Sequence, residues 1–358
     1  KETMEIRAAD GSVRAVRDFP RLKYGGAHLA DELGRDADVL EKGLTAVVLA
    51  VALAAALAVG TAHVLARRSG GRTGETLFEL WRGETGFAWN AVLASVGVLL
   101  LTLLPILALC GDYHVFGTDK VGQDVFYQIL KSVRTALVIG LVTTLVTLPL
   151  AIGLGLLAGY FRGWVDDAIQ YLYTTLSSIP GVLLIAAAVL MMQVVIDTHP
   201  QWFSTAAERA DLRLLSLCFI LGLTSWTSLC RLLRGETLKL RELEYIQAAQ
   251  AFGVADLTIL RRHVLPNLMH IVIIALVMDF SGLVLAEAVL SYVGIGVDPT
   301  MTSFGTMING ARMELSREPA VWWSLASAFV FMFTLVLAAN LLADAVRDAF
   351  DPRTGSAN

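Results

Sequence analysis

The sequence predicts an all-α polytopic membrane protein with six or seven transmembrane helices, and three observations carry that prediction. Hydrophobic residues fill 56% of the 358 positions and charged ones only 17%, with a mean hydropathy of +0.63, outside the usual soluble range. Seven apolar runs reach the roughly 20 residues needed to cross a hydrocarbon core about 30 Å thick. The alternating pattern of a membrane β-barrel, in segments of about 10 residues, is absent. Helices are then the way to satisfy backbone polar groups in lipid.

In chain order, residues 1–42 mix both charge signs, contain Gly25-Gly26 and show no convincing period; they read as a polar tail with room for one short surface helix. The chain opens at Lys1, and some forty mixed residues precede the first apolar run. That is not signal-peptide anatomy and leaves room for residues upstream. The first two runs, 43–66 and 88–110, form a segment 43–110, with Arg67, Arg68, Arg72 and Arg82 between them. Residues 111–132 (GDYHVFGTDKVGQDVFYQILKS) read as a Gly/Asp turn leading into a short amphipathic helix, with Thr118 or Asp119 as N-cap and Asp124 early in the next helix. The third run, 133–159, leads into Gly155, Gly159 and Gly163, four residues apart on one helical face, a spacing that lets helices approach closely in lipid. Further runs cover 173–196, 213–233, 268–296 and 321–343. Trp322-Trp323 suits an interfacial anchor at the start of the last.

Charge sets the topology. Residues 197–212 hold one Arg, whereas 231–262 hold Arg231, Arg234, Lys239, Arg241, Arg261 and Arg262, so the second segment faces the cytoplasm. Counting from there, 111–132, 197–212 and 297–320 face outward and the C-terminus, with Arg347 and Arg353, faces inward. Parity puts residues 1–42 outside unless a span precedes them or the run 43–66 does not fully cross.

Several chemistries are disfavoured. Cys110, Cys218 and Cys230 lie in or at the ends of apolar runs without paired spacing, and the six histidines show no metal-ligand spacing. No catalytic constellation and no phosphate-binding loop is visible, so no catalytic residue, metal site or bound cofactor is expected. A net charge of −4 and a pI near 5.9 argue against nucleic acid as a partner; membrane lipid is the partner the composition implies.

One inward segment asks for a role. In EYIQAAQAFGVADLTILRRHVLPN, residues 244–267, Ile246, Ala249, Phe252 and Gly253 fall on one side of a helix. Gly253 allows a break, and Asp256 caps or begins a second helix through Leu257, Leu260 and Val264. Leu265-Pro266 then stands where the next span starts, a position suited to ending one helix and fixing entry to another. The residues alone give an interfacial helix pair, equally suited to docking a partner and to simple surface packing.

The spacing of Gln247-Ala248-Ala249, Gly253 and Leu265-Pro266 resembles the EAA loop, here about 240–267, of permease subunits in bacterial binding-protein-dependent ABC importers. FGTDKVGQDV (116–125), GLLAGYFRGWVDD (155–167), RHVLPN (262–267), LAEAVLSYVGIGV (285–297), SFGTMI (303–308) and ANLLADAVRDAFDPR (339–353) resemble, in order and spacing, the second permease of the dipeptide, oligopeptide and nickel group. Gln247 stands where that family prefers an acid, and Gln123 where it prefers arginine. The resemblance covers about 114–353 and implies a type I permease fold over 111–353, with 354–358 as a short tail.

It further implies a second homologous permease, two ABC ATPase subunits that use ATP and Mg, and a periplasmic or extracellular substrate-binding protein, at a bacterial inner membrane. The implied ATPase-coupling residues are Tyr245, Gln247, Ala248, Ala249, Phe252, Gly253, Asp256, Leu265 and Pro266. Asp279, Ser281 and Glu287 are candidates for the translocation path, because acids in a span need a reason and the two acids, eight residues apart, are expected near one face. Met301, Phe304, Met307 and Asn309, in a loop long enough for a short surface or re-entrant helix, are candidates for outward contacts with substrate or binding protein. Di- or oligopeptides lead as cargo, with nickel chelates behind; an ion-driven secondary carrier, for which no internal repeat is found, and a scaffold or sensor without flux are the rival classes.

Overall fold

Seven helices among the described residues are long and apolar enough to cross a membrane. The computed structural model describes residues 2–7, 13–18, 24, 28–29, 34–203, 205–316 and 320–350. The chain divides into two units, Lys1–Gly117 and Thr118–Asn358.

In the first unit, strands β1 (Glu2–Arg7) and β2 (Val13–Asp18) pair antiparallel, from Glu2 opposite Asp18 to Arg7 opposite Val13. The tail, read as having room for one short surface helix, thus holds two paired strands, and the remainder of 1–33 lies, apart from Tyr24, His28 and Leu29, outside the described residues. Met4-Glu5-Ile6 alternates with period 2, and Asp10-Gly11 between the two runs is a hairpin signal in the sequence. Helices α1 (Arg35–Ser69), α2 (Thr73–Arg82) and α3 (Trp89–Leu109) follow. Lys42 Nζ donates to Asp112 at 2.7 Å and the Tyr113 hydroxyl donates to Asp38 at 2.6 Å. These bonds join the start of α1 to the end of α3, so the two helices run antiparallel.

In the second unit, Asp124 caps helix α4 (Val125–Phe161) by accepting the Tyr127 N–H at 2.8 Å. Neither Thr118 nor Asp119 is the cap: Asp119 instead closes the preceding turn, accepting the N–H groups of Val121 and Gln123. The amphipathic helix expected in 111–132 is the first part of α4, continuous with the span, because nothing between Val125 and Phe161 breaks the helix except Pro149, which a span tolerates. Helix α5 (Gly163–Ser177) is separate from α6 (Gly181–Thr198), so the run expected at 173–196 is cut by Ser178-Ile179-Pro180. Pro180 cannot continue α5, and it stands at the N-cap of α6. Then come α7 (Ala206–Arg241), α8 (Glu244–Ala251), α9 (Asp256–Ile259), α10 (Leu265–Val293), α11 (Phe304–Glu314) and α12 (Trp323–Phe350).

Helices α4 and α7 form the heart of this unit and run parallel. A Cβ on Gly222 would meet Val146 Cβ at 2.6 Å and the Thr143 carbonyl at 3.1 Å. Further along, one on Gly155 would lie 2.9 Å from the Cys230 carbonyl, and one on Gly159 2.7 Å from that of Arg234. Only a missing Cβ allows backbones so close. Gly163 does not share this role: nothing lies within 4 Å of its Cβ position, and its φ of +56° serves the turn between α4 and α5. The helix ends before the third glycine of the spacing, so the face it would have extended is not there.

Pro266 does not end a helix. Residues 260–264 form a π-helical turn in which the Leu265 N–H donates to the Leu260 carbonyl, and α9, this turn and α10 make one helix, Asp256–Val293. The wider turn accommodates the proline, which lacks an N–H and would crowd the carbonyl four residues back in an α-helix.

Asp166 on α5 accepts both Arg234 Nε at 2.5 Å and Nη2 at 2.7 Å, tying α5 to α7. Hydrogen bonds from the Arg234 guanidinium hold the Asp166 carboxyl below the usual carboxylate range. The pair's stabilisation is accordingly full at neutral pH and is lost as pH falls below about 4, through the depressed folded-state value. Asp166→Ala strands a largely buried cation and should cost about 2–3 kcal/mol, slightly under the value for a fully buried pair. Thermal melts in detergent check this: the double variant Asp166→Ala/Arg234→Met should recover most of the loss, and a full loss in the double variant would show that the pairing is not its source.

Candidate coupling surface and translocation cleft

The insert between α7 and α10 has a buried base and an exposed tip. Ile246, at 0% exposure, together with Ile259, Leu260 and Val264, packs into a core with Leu156, Tyr160 and Leu233 of α4 and α7. Ala249 and Leu265 are partly buried against the same core. Polar contacts converge on Tyr160: its hydroxyl donates to Asp256 at 2.7 Å and accepts from the Gln250 amide at 3.0 Å, while Arg241 donates to its carbonyl at 2.6 Å. Asp256 is thus the first residue of α9 and an anchor to α4, with Ala255 as the cap residue. Asn267 donates to the Tyr245 hydroxyl at 3.1 Å, and Arg162 pairs with Glu242.

The tip is apolar and uncovered in this chain. Phe252 is 87% exposed and Leu257 76%. Phe252 departs from the face it was expected to share with Ile246: it lies just past the last residue of α8, and Gly253, at φ +74°, turns the chain there, so Phe252 leaves the face that buries Ile246. Gln247, Ala248 and Pro266 are exposed around it, as are Arg261 and Arg262.

Between α4, α7 and α10 lies a cleft of about 330 Å³, lined by Asp279, by Thr144 and Thr147 of α4 and by Thr224, Ser225 and Ser228 of α7. Of the three expected path residues only Asp279 lines it. Eight residues at 100° each leave Glu287 about 80° away around the helix. Glu287 is 1% exposed and accepts the Ser291 hydroxyl at 2.6 Å. Ser281 is also buried and donates to Asn340 of α12 at 2.6 Å.

At the opposite end from the insert, Ser303 begins α11 with a capping box shared with Thr306. A polar cleft of about 350 Å³ opens there, lined by Met301 and Met307 with Lys120, Thr300 and Glu314. Of the four expected outward contacts Phe304 and Met307 are buried, Met301 is half-buried in the cleft lining, and Asn309 is half-buried outside it; Ser132 donates to Met307 Sδ at 3.2 Å. Arg213 joins Asp298 at 2.8 Å and Asp197 at 2.6 Å, fastening the loop before α11 to α7 and α6.

The family described as binding-protein-dependent transport system inner membrane component matches residues 151–356. The chain belongs to that family. This permease is 35% identical over 245 residues to the glutathione transport system permease protein GsiD of Pectobacterium atrosepticum, covering 68% of this chain and 74% of that one. It is 31% identical over 246 residues to the oligopeptide transport system permease protein OppC of Mycobacterium bovis, covering 69% and 78% respectively. The dipeptide transport system permease protein DppC of Bacillus subtilis is 26% identical over 292 residues, covering 74% and 85%.

The permease is a multi-pass membrane protein and a transport component. Sequence reasoning missed Tyr160 as the anchor of its insert, although GYF lies within one of the quoted motifs, and missed the hydroxyl groups of the cleft. The run TSWTS at 224–228, polar inside an otherwise apolar span, was the available signal.

Proposed function

We propose that this permease is one of two homologous membrane subunits of an ATP-driven importer carrying di- or oligopeptides across the cytoplasmic membrane of a bacterium. A substrate-binding protein delivers cargo from outside. Two ATPase subunits, which use ATP and Mg, dock below; the permease's sequence carries no phosphate-binding loop. The observation that carries this reading is the insert, whose exposed Phe252 and Leu257 stand on a base buried against α4 and α7. Large exposed apolar side chains on a rigid base suit a partner surface. Tyr245, Gln247, Ala248, Ala249, Gly253, Asp256, Leu265 and Pro266 shape or support that tip. ATPase closure would move the insert and, through Tyr160 and Arg241, shift α4 and α7 between inward- and outward-open states. The relatives' peptide and glutathione names support the cargo class.

The test is uptake by proteoliposomes holding the permease pair, the ATPases and the binding protein. Uptake of a labelled dipeptide should require internal ATP, survive collapse of ion gradients and fall on adding unlabelled peptides. Transport driven by an ion gradient without ATPases would make the protein a secondary carrier, and competition by nickel chelates but not by peptides would replace the cargo class.

A further inference from the structure

Asp279 occupies the midpoint of α10, Leu265–Val293, the depth at which a span is least hospitable to charge. No hydrogen bond or ion pair among the described residues reaches its carboxylate. It is not packed away as Glu287 is; it is exposed on the cleft between α4, α7 and α10. The cleft's lining includes no Lys, Arg or His, so its one charge is negative. Thr144, Thr147, Thr224, Ser225 and Ser228 line the same cleft. Thr147 and Thr224 bond backbone carbonyls of their own helices, whereas no bond among the described residues is made by the hydroxyls of Ser225 or Ser228. A volume of about 330 Å³ suits a small molecule.

A carboxylate kept in such a place without a partner needs one during the transport cycle. We propose that Asp279 receives the α-ammonium group of a peptide cargo, the surrounding hydroxyls replacing water stripped from it. This rests on the peptide reading above and deepens it by naming the group recognised. The absence of any cation in the lining makes the wall selective: it meets the amino end of a peptide and offers nothing to the carboxylate end.

Equilibrium binding of alanyl-alanine and of propionyl-alanine, its analogue without the amino group, to the detergent-purified permease–ATPase complex tests this without the binding protein. The wild type should bind alanyl-alanine at least about tenfold more tightly. Asp279→Asn should abolish the preference by weakening alanyl-alanine alone, and Asp279→Glu should keep most of it. Equal binding of the two ligands by the wild type, an unchanged preference in Asp279→Asn, or an equal loss of both ligands overturns the assignment. Uptake of alanyl-alanine by the complete wild-type importer, measured in parallel, separates the two levels: uptake with any of those outcomes sinks the ammonium site alone, and no peptide uptake sinks the cargo reading together with it.

Discussion

Gly159→Ala should destabilise the permease by about 3 kcal/mol, at the upper end of the ordinary cost of overpacking, and lower its melting midpoint in detergent by roughly 6–12 °C. One methyl group does this because of where it would sit: 2.6 Å from Thr237 Cβ and 2.7 Å from the Arg234 carbonyl. A carbonyl of a helix backbone cannot swing aside, and a Cβ cannot change rotamer, so α4 and α7 must separate. Separation loosens the core that the two helices share with the insert, including Leu156, Leu233 and Ile246. Gly153→Ala is the control, since nothing lies within 4 Å of its Cβ position on the same helix. There the gain in helix propensity, up to about 1 kcal/mol, should leave stability equal or higher. Equal melting of the two variants would show that the close approach of α4 and α7 is not what stabilises the unit.

That contrast bears on what the sequence allows to be read. The apolar runs located the seven long helices found among the described residues, because about 20 consecutive apolar residues have few other uses. Helix ends were less legible: α4 begins ahead of its apolar stretch at the Asp124 cap, and α7 continues past its own through Lys239 to Arg241. Spacing gave Gly155 and Gly159 a common face, yet it equally enrolled Gly163, whose backbone lies beyond the helix end. Counting turns put Asp279 and Glu287 together, while the residual rotation between them separates a cleft from a buried hydrogen bond. Long-range partners were not legible at all. Tyr160 and Asp256 are nearly a hundred residues apart in sequence, and nothing local to either one announces their contact. Gln247 is an instructive departure from the acidic residue of the resembled motif. Its amide donates to the Glu242 carbonyl at 3.2 Å, at the end of α7, a bond that a carboxylate could not make.

Phe252→Ala should leave folding intact and disable transport. Phe252 is 87% exposed and touches little of its own chain, so insertion and thermal stability in detergent should match the wild type. If its ring is the anchor seated in the ATPase, removing it should cost about 2 kcal/mol or more of docking energy, the scale of an interfacial hot spot, or a roughly 30-fold weaker association. ATPase recovered with the purified permease should then fall, and uptake stimulated by the binding protein should drop by more than about tenfold. Leu257→Ala, at the other exposed point of the tip, should act in the same direction and less strongly, because a smaller side chain fills less of a pocket. The base of the insert predicts a different phenotype. Tyr160→Phe keeps the ring in the core but removes the hydroxyl that bonds Asp256 and Gln250. ATPase should still dock there, while hydrolysis becomes less tightly linked to uptake, since the tip can move without carrying α4 along. Unaltered ATPase recovery and uptake in Phe252→Ala would remove the tip as the docking element, whatever Tyr160→Phe does.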